Sequence, residues 1–253
     1  MFDPHRLRQH LGKAFLVLAA LLALSWSLKG RLVGPGDIDT ALREAPRQIP
    51  TAREAFSFSY KGRVCSVKPV AEYELWGLVV SHNNIHSMAD IYHDSTSVDT
   101  KDLCVIWGDN FASDDYLEVE YWSGPWTCYF RYPSGVTFRG DSLGNNHLIS
   151  DSDPIRTQIA DIRKGDQVHL EGLLVNYQMD DWGKFWRNTS TTRKDTDCEV
   201  IFVERLEVLR QGTPGWYLVY RLCWILLLAL PFVYLYLLWV DAGKTDGSLG
   251  RLD

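Results

Sequence analysis

The sequence predicts a mainly β domain with one short helix, flanked by two transmembrane α-helices. Three patterns carry that expectation. Uncharged apolar runs stand near both ends, at residues 14–28 and 222–240. Between them, residues 73–81, 168–174 and 199–208 place apolar side chains at every second position, the period of a half-buried strand. One stretch, residues 155–162, instead spaces Ile155, Ile159 and Ile162 along a helical face.

The first apolar run follows Arg6, Arg8 and Lys13. A basic segment before an apolar one is the layout of a signal sequence. Its exit, Ser25-Trp26-Ser27-Leu28-Lys29, lacks an alanine-type cleavage site, so the expected element is an uncleaved signal anchor. A helix of that length rises only about 22 Å, so flanking residues must help it reach across a core of about 30 Å. The second run, LCWILLLALPFVYLYLLWV, has 19 residues without a charge, enough to cross. Trp216, Tyr217 and Tyr220 at one end and Trp239 at the other suit interfacial belts. Arg221 can snorkel outward, and Pro231 is expected to kink the helix.

Two crossings put both termini on one side and the domain on the other. The basic N-terminus favours termini in the cytoplasm and a domain outside. Lys29, Arg31, Arg210 and Arg221 also flank the membrane on the outer side, but long loops obey the charge rule weakly. The expected organisation is a cytoplasmic n-region at 1–13, a first transmembrane helix at 14–29, a linker at 30–55 and a β-rich exported domain at 56–210. A second transmembrane helix at 216–240 and a cytoplasmic tail at 241–253 complete it.

Within the linker, Pro35, Pro46 and Pro50 argue for a tether, with one helical turn around 37–44. The folded part opens at 56–67. Residues 73–81 alternate Tyr73, Leu75, Gly77 and Val79 as a strand. The next stretch is polar and holds His82, His86 and His93 near Asp90 and Asp94. On a helix, His82 and His86 would share a face, which makes a weak copper or zinc site conceivable. Without a HExxH pattern, a solvated loop with incidental histidines is the simpler expectation.

Residues 103–107 form a short buried strand ended by Gly108-Asp109-Asn110. A hairpin is expected from 116–122 to 126–132 across Ser123-Gly124-Pro125. Tyr121, Trp122, Trp126, Tyr129 and Phe130 give it aromatic faces, which serve core and cross-strand packing more often than ligands. Residues 134–146 read as loop. Ser152, Asp153 and Pro154 start the helix, Lys164-Gly165-Asp166 turns the chain, and the last two strands enclose a loop with Trp182, Gly183 and Trp186. Asn188-Thr189-Ser190 matches a glycosylation sequon, which carries information only in a eukaryotic secretory setting.

Of five cysteines, Cys223 falls in the second apolar run and is expected to face lipid or a packed helix. Cys65, Cys104, Cys128 and Cys198 permit three disulfide connectivities in an exported domain, with buried thiols the alternative. They contain no CxxC pair, so a zinc site has little support.

Two resemblances bear on fold. A short helix, then KGDQVHLEGLL, a Trp182 loop and EVIFVERLEVL resemble the second half of an OB-fold such as single-stranded DNA-binding proteins carry. That likeness implies an OB-like small β-barrel, with residues 73–81 as its opening strand. Over residues 45–209 the chain also resembles an uncharacterised family of bacterial membrane-anchored exported proteins. The shared elements are Ala45-Pro46, Tyr73-x-Leu75-x-Gly77, Trp107-Gly108, Asn146-His147-Leu148-Ile149, Gly165-Asp166-x-Val168, Gly172-x-Leu174-Val175, and Ser190-x-x-Arg193-x-Asp195-Thr196 before Cys198-Glu199. The family pattern places several residues between that Thr and the Cys-Glu pair, where this chain has Asp197. The resemblance implies an exported, anchored domain and supplies no activity.

Three functional classes compete. His147, Arg193, Asp195, Cys198 and Glu199 could converge if their loops meet, with Cys198 and His147 as the nucleophile and base of a Cys/His-dependent hydrolase. The plainer arrangement pairs Arg193 with Asp195 or Glu199, hydrogen-bonds His147 to backbone and packs Cys198 in the core. Trp182, Phe185 and Trp186 beside Lys184, Arg187, Arg193 and Lys194 have the ingredients of a single-stranded nucleic-acid groove. A formal net charge of -6 and an exported location argue against that partner. No P-loop, nucleophile elbow or dinucleotide fingerprint is present. The expectation is therefore a non-enzymatic accessory or scaffold protein without cofactors. Its expected partners are membrane lipids and another membrane or periplasmic protein, or a second copy of the chain.

Overall fold

The computed structural model describes residues 4–85, 96–124, 127–192 and 198–246. These contain helices α1 (Pro4–Leu28), α2 (Asp153–Asp161) and α3 (Pro214–Asp246). The strands are β1 (Arg47–Pro50), β2 (Phe56–Tyr60), β3 (Arg63–Asn84), β4 (Lys101–Ile106), β5 (Glu120–Ser123), β6 (Cys128–Arg131), β7 (Leu143–Ile149), β8 (Gln167–Met179) and β9 (Glu199–Arg210). The chain forms two compact units, Met1–Arg31 with Thr213–Asp253, and Leu32–Gly212.

The first unit is an antiparallel pair of α1 and α3, and both helices are long and apolar enough to cross a membrane. α1 reaches back through the basic segment to 25 residues, about 37 Å, so its length exceeds that of the uncharged run. α3 continues through Pro231. At one end of the pair the Gly30 N–H donates to Thr213 Oγ1 at 2.8 Å. There Lys29 Nζ also lies over the Tyr220 ring at 3.4 Å and the Trp26 ring at 4.2 Å. At the other end Arg8 Nη2 meets Asp241 Oδ2 at 2.7 Å. Cys223 is buried, whereas Leu16, Trp26, Phe232 and Trp239 are exposed.

The second unit is a mixed seven-stranded sheet with a separate two-stranded sheet, β5–β6. Pairing runs from β3 to β4, β7, β9 and β8, and β8 pairs again with β3. Every pair is antiparallel except β7–β9. β3 can serve two sets of neighbours because it has 22 residues and bends, with register shifts at Pro69/Ala71 and Val79/Ser81. A proline inside a long strand is tolerated at such a shift, where the ladder is already interrupted. Gly172 marks another on β8, where a Cβ would fall on the Phe202 carbonyl oxygen.

Three apolar clusters follow from strand alternation. Leu75, Val79, Leu103, Val105, Leu148, Val168, Leu170, Leu174, Ile201 and Val203 come from all five strands on that path and form the main core, with Ile159 and Ile162. On the opposite face, Leu78, Cys104 and Ile106 pack against Phe111, Tyr116, Tyr121 and Cys128 of the excursion between β4 and β7. The third cluster joins Cys65, Leu173, Tyr177, Val200 and Phe202 to the β2 aromatics Phe56 and Phe58 and to Trp182. A disulfide, Cys104–Cys128, ties the excursion to β4; closing that loop is worth about 3 kcal/mol.

Helix α2 is capped at both ends. The Ser152 hydroxyl accepts the Ile155 N–H. Lys101 Nζ donates to the Ala160 and Ile162 carbonyls at 2.5 and 2.7 Å, satisfying acceptors the last turn leaves open.

Several expectations shift. The stretch read as a linker carries β1, and it buries Ile38 and Leu42 against the second cluster, so much of it belongs to the domain. The hairpin is shorter, because residues 115–117 form a 3-10 turn. Residues 143–146, read as loop, open β7. Their Leu-Gly-Asn-Asn sequence hides a strand because its buried positions are polar and hydrogen-bonded.

Candidate functional site

The face of β4, β7 and β9 turned away from the main core carries the chemistry. Asp102 is opposite His147, and Cys104 is opposite Asn145. Leu103, Leu148 and Ile201 point into the core, so Asp102, Cys104, Asn145 and His147 share the other side. Cys198, two residues before Val200, reaches the same face; Val200 is registered with His147.

His147 Nδ1 lies 2.5 Å from Asp102 Oδ1, and both side chains are 2% exposed. Its other nitrogen, Nε2, lies 2.6 Å from Arg187 Nη2, and the ring also meets the Cys198 thiol. A neutral ring accepts from the guanidinium at Nε2, and a protonated ring donates to the sulfur. Asn145 Nδ2 donates to Cys198 Sγ at 3.2 Å, and the Thr127 side chain hydrogen-bonds the same sulfur. Arg187 is held from behind: its backbone exchanges two 2.9 Å hydrogen bonds with Tyr177. The Tyr177 hydroxyl donates to Asp99 Oδ2 at 2.8 Å.

This packing moves protonation equilibria. Burial pushes the His147 imidazole down, but the Asp102 charge and hydrogen bond outweigh it and hold the ring up at about 9. Burial pushes the Cys198 thiol up; hydrogen bonding and charge from His147, with Asn145 and Thr127, bring it below the ordinary thiol value. Cys65, in the third cluster, goes the other way, pushed up to about 12 by burial and by Asp99.

The structure thus brings His147 and Cys198 together. Their neighbours are Asp102, Asn145 and Arg187, with Asp99 and Tyr177 behind. Glu199 is buried at the start of β9; Arg193, Lys194 and Asp195 lie outside the described residues. In the aromatic set, Trp182 packs between Tyr177 and Phe185. Phe185 is exposed, and Trp186 lies under Lys68 Nζ at 3.9 Å. Arg187 turns inward to His147 rather than outward with them. Of the three histidines, His82 is on β3, a strand rather than the helix on which it would share a face with His86. Burial, with Lys101 and Lys164, lowers it to about 4. His86 and His93 lie outside the described residues.

Asp102 and Asn145 carry no motif of their own. Asp102 acquires its place only from a register that pairs it with a residue 45 positions on. A second cluster, Glu74, His169 and Glu171, has donor atoms within 4.8 Å of one another, a set that could hold a divalent cation. Arg47 already pairs with Glu74 and Arg205 with Glu171. The His169 ring stacks on Trp76 at 4.5 Å.

No known protein family, curated protein or solved structure matches the chain.

Proposed function

We propose that the chain is a membrane-tethered, non-enzymatic binding or assembly module whose second unit is an OB-like barrel. The pairing path that returns to β3, with one parallel pair and α2 between β7 and β8, supports the barrel. OB-folds bind on the face of their second and third strands and with two flanking loops. Here those strands are β4 and β7, and the corresponding connections run from β3 to β4 and from β8 to β9. The second presents Lys184 and Phe185 to solvent.

One observation carries the assembly reading: in sequence, both ends of the β domain run into helices able to span a bilayer. A domain tethered at both ends stays with the membrane, which suits contact with another membrane or periplasmic protein. The β5–β6 hairpin offers a surface for it, with Trp122, Tyr129, Phe130 and Tyr132 exposed. Rigid aromatics of this kind anchor protein interfaces. The near-complete burial of Asp102 and His147 fits a rigidifying network better than an open catalytic cleft.

The basic start of α1 favours termini in the cytoplasm and the domain on the outer side of a bacterial inner membrane. Reporter fusions to the C-terminus and to the central domain test that sidedness. Purification of the full chain in mild detergent tests the assembly. A partner or second copy that is retained, and lost on replacing Trp122 and Tyr129 with serine, supports the module. A chain recovered reproducibly alone overturns it.

A further inference from the structure

We infer that Cys198 is the attacking thiol of an intramolecular thiol–disulfide exchange site whose electrophile is the Cys104–Cys128 disulfide. The disulfide joins β4 to the start of β6. The Cys198 sulfur touches the immediate neighbour of each half. Thr127, which hydrogen-bonds it, precedes Cys128 in the chain. Asn145, whose Nδ2 donates to it at 3.2 Å, is the cross-strand partner of Cys104.

The surroundings favour a thiolate, the species that attacks disulfides. His147, Asn145 and Thr127 hydrogen-bond the sulfur, and the Arg187 charge acts on it. Asp102 orients the imidazole from its far nitrogen. This is the electropositive, partly exposed setting of reactive cysteines, and Cys198 is partly exposed while Cys65 is buried.

Geometry selects which sulfur is attacked. Cys198 and Cys104 are separated by β7, two strand spacings or roughly 9.6 Å, beyond the roughly 7 Å that a disulfide spans between Cα atoms. Cys128 is the residue after Thr127, whose side chain meets the Cys198 sulfur. The Cys198 thiolate therefore attacks Cys128 Sγ, and a Cys128–Cys198 bond forms as Cys104–Cys128 breaks. The electron pair leaves on Cys104 Sγ, which takes the proton that His147 had received from Cys198. One thiol and one disulfide exist before and after, so no oxidant is consumed. The hairpin's anchor moves from β4 to the entry of β9.

The full chain in detergent tests this by peptide mapping after acid quenching. In Cys104→Ser, oxidised glutathione is expected to yield a Cys128–Cys198 linkage. With wild-type protein, iodoacetamide is expected to label Cys198 faster than Cys65. His147→Ala is expected to slow that labelling, because the thiol loses the hydrogen bond and charge that favour its thiolate. Cys128 and Cys198 both remaining as alkylatable thiols in a folded Cys104→Ser variant overturns the proposal. If that variant does not fold, wild-type protein equilibrated in a glutathione redox buffer must show the Cys128–Cys198 isomer; its absence overturns the proposal equally.

Discussion

The His147 Nδ1 and Asp102 Oδ1 atoms sit 2.5 Å apart, tying β7 to β4 beneath the excursion that covers both strands. Removing one partner of a buried ion pair strands the other, at about 3–5 kcal/mol. Asp102→Ala, which leaves His147 and Arg187 facing each other, is expected to cost that much in denaturant unfolding of the full chain. Asp102→Asn keeps an acceptor and costs less. A wild-type midpoint in Asp102→Ala would show the pair to be energetically idle.

Stability should fall on both sides of neutrality. His147 has its folded pKa raised to about 9 from an ordinary 6.5. Its contribution is complete below about 6.5 and is lost as pH rises through about 9. His82 is lowered to about 4; the fold holds it neutral, so its contribution is present above about 6.5 and is lost as pH falls through about 4. Unfolding midpoints measured across this range should show both limbs. The alkaline one should vanish in His147→Asn and the acidic one in His82→Gln. Limbs that persist in these variants would assign the titrations elsewhere.

Lys101 is buried, and burial lowers its pKa to about 8 while Asp161 and Asp166 oppose the fall. Its two hydrogen bonds close the C-terminal turn of α2. Lys101→Met fills the space but leaves two carbonyls without that donor, so the loss should be about 1–3 kcal/mol. Hydrogen exchange should localise it to the end of α2. Unchanged protection there would deny Lys101 its capping role.

Gly172→Ala should disturb the β8–β9 ladder. The new Cβ meets the Phe202 carbonyl oxygen and lies 3.1 Å from its carbon and 3.2 Å from Glu204 N, all backbone atoms with little room to yield. The overpacking cost is about 1–3 kcal/mol or more, read as a lower midpoint with faster amide exchange around Val203. A neutral substitution would mean that the strands separate there more easily than their register shift implies.

Much of this protein is written locally. The apolar ends, the alternation at Tyr73–Val79 and along residues 168–174 and 199–208, and the Ser152 cap each depend on residues a few positions apart. Local physics suffices for them: period two makes a half-buried strand, and a long uncharged apolar run makes a helix able to cross a membrane. Polar positions carry less local information. Asn145 and His147 look like loop residues until a neighbouring strand supplies their hydrogen bonds.

What the tertiary structure decided was who faces whom. Three cysteine connectivities were open until the excursion folded back and set Cys128 beside Cys104. Asp102 had no visible role until β4 lined up with β7. Cys198 met Thr127 and Asn145 because β9 runs parallel to β7. Hydrophobic periodicity acts along the chain and says which side of a strand is buried. Register between strands depends on contacts between distant segments, and the chemistry of this site arises from that register.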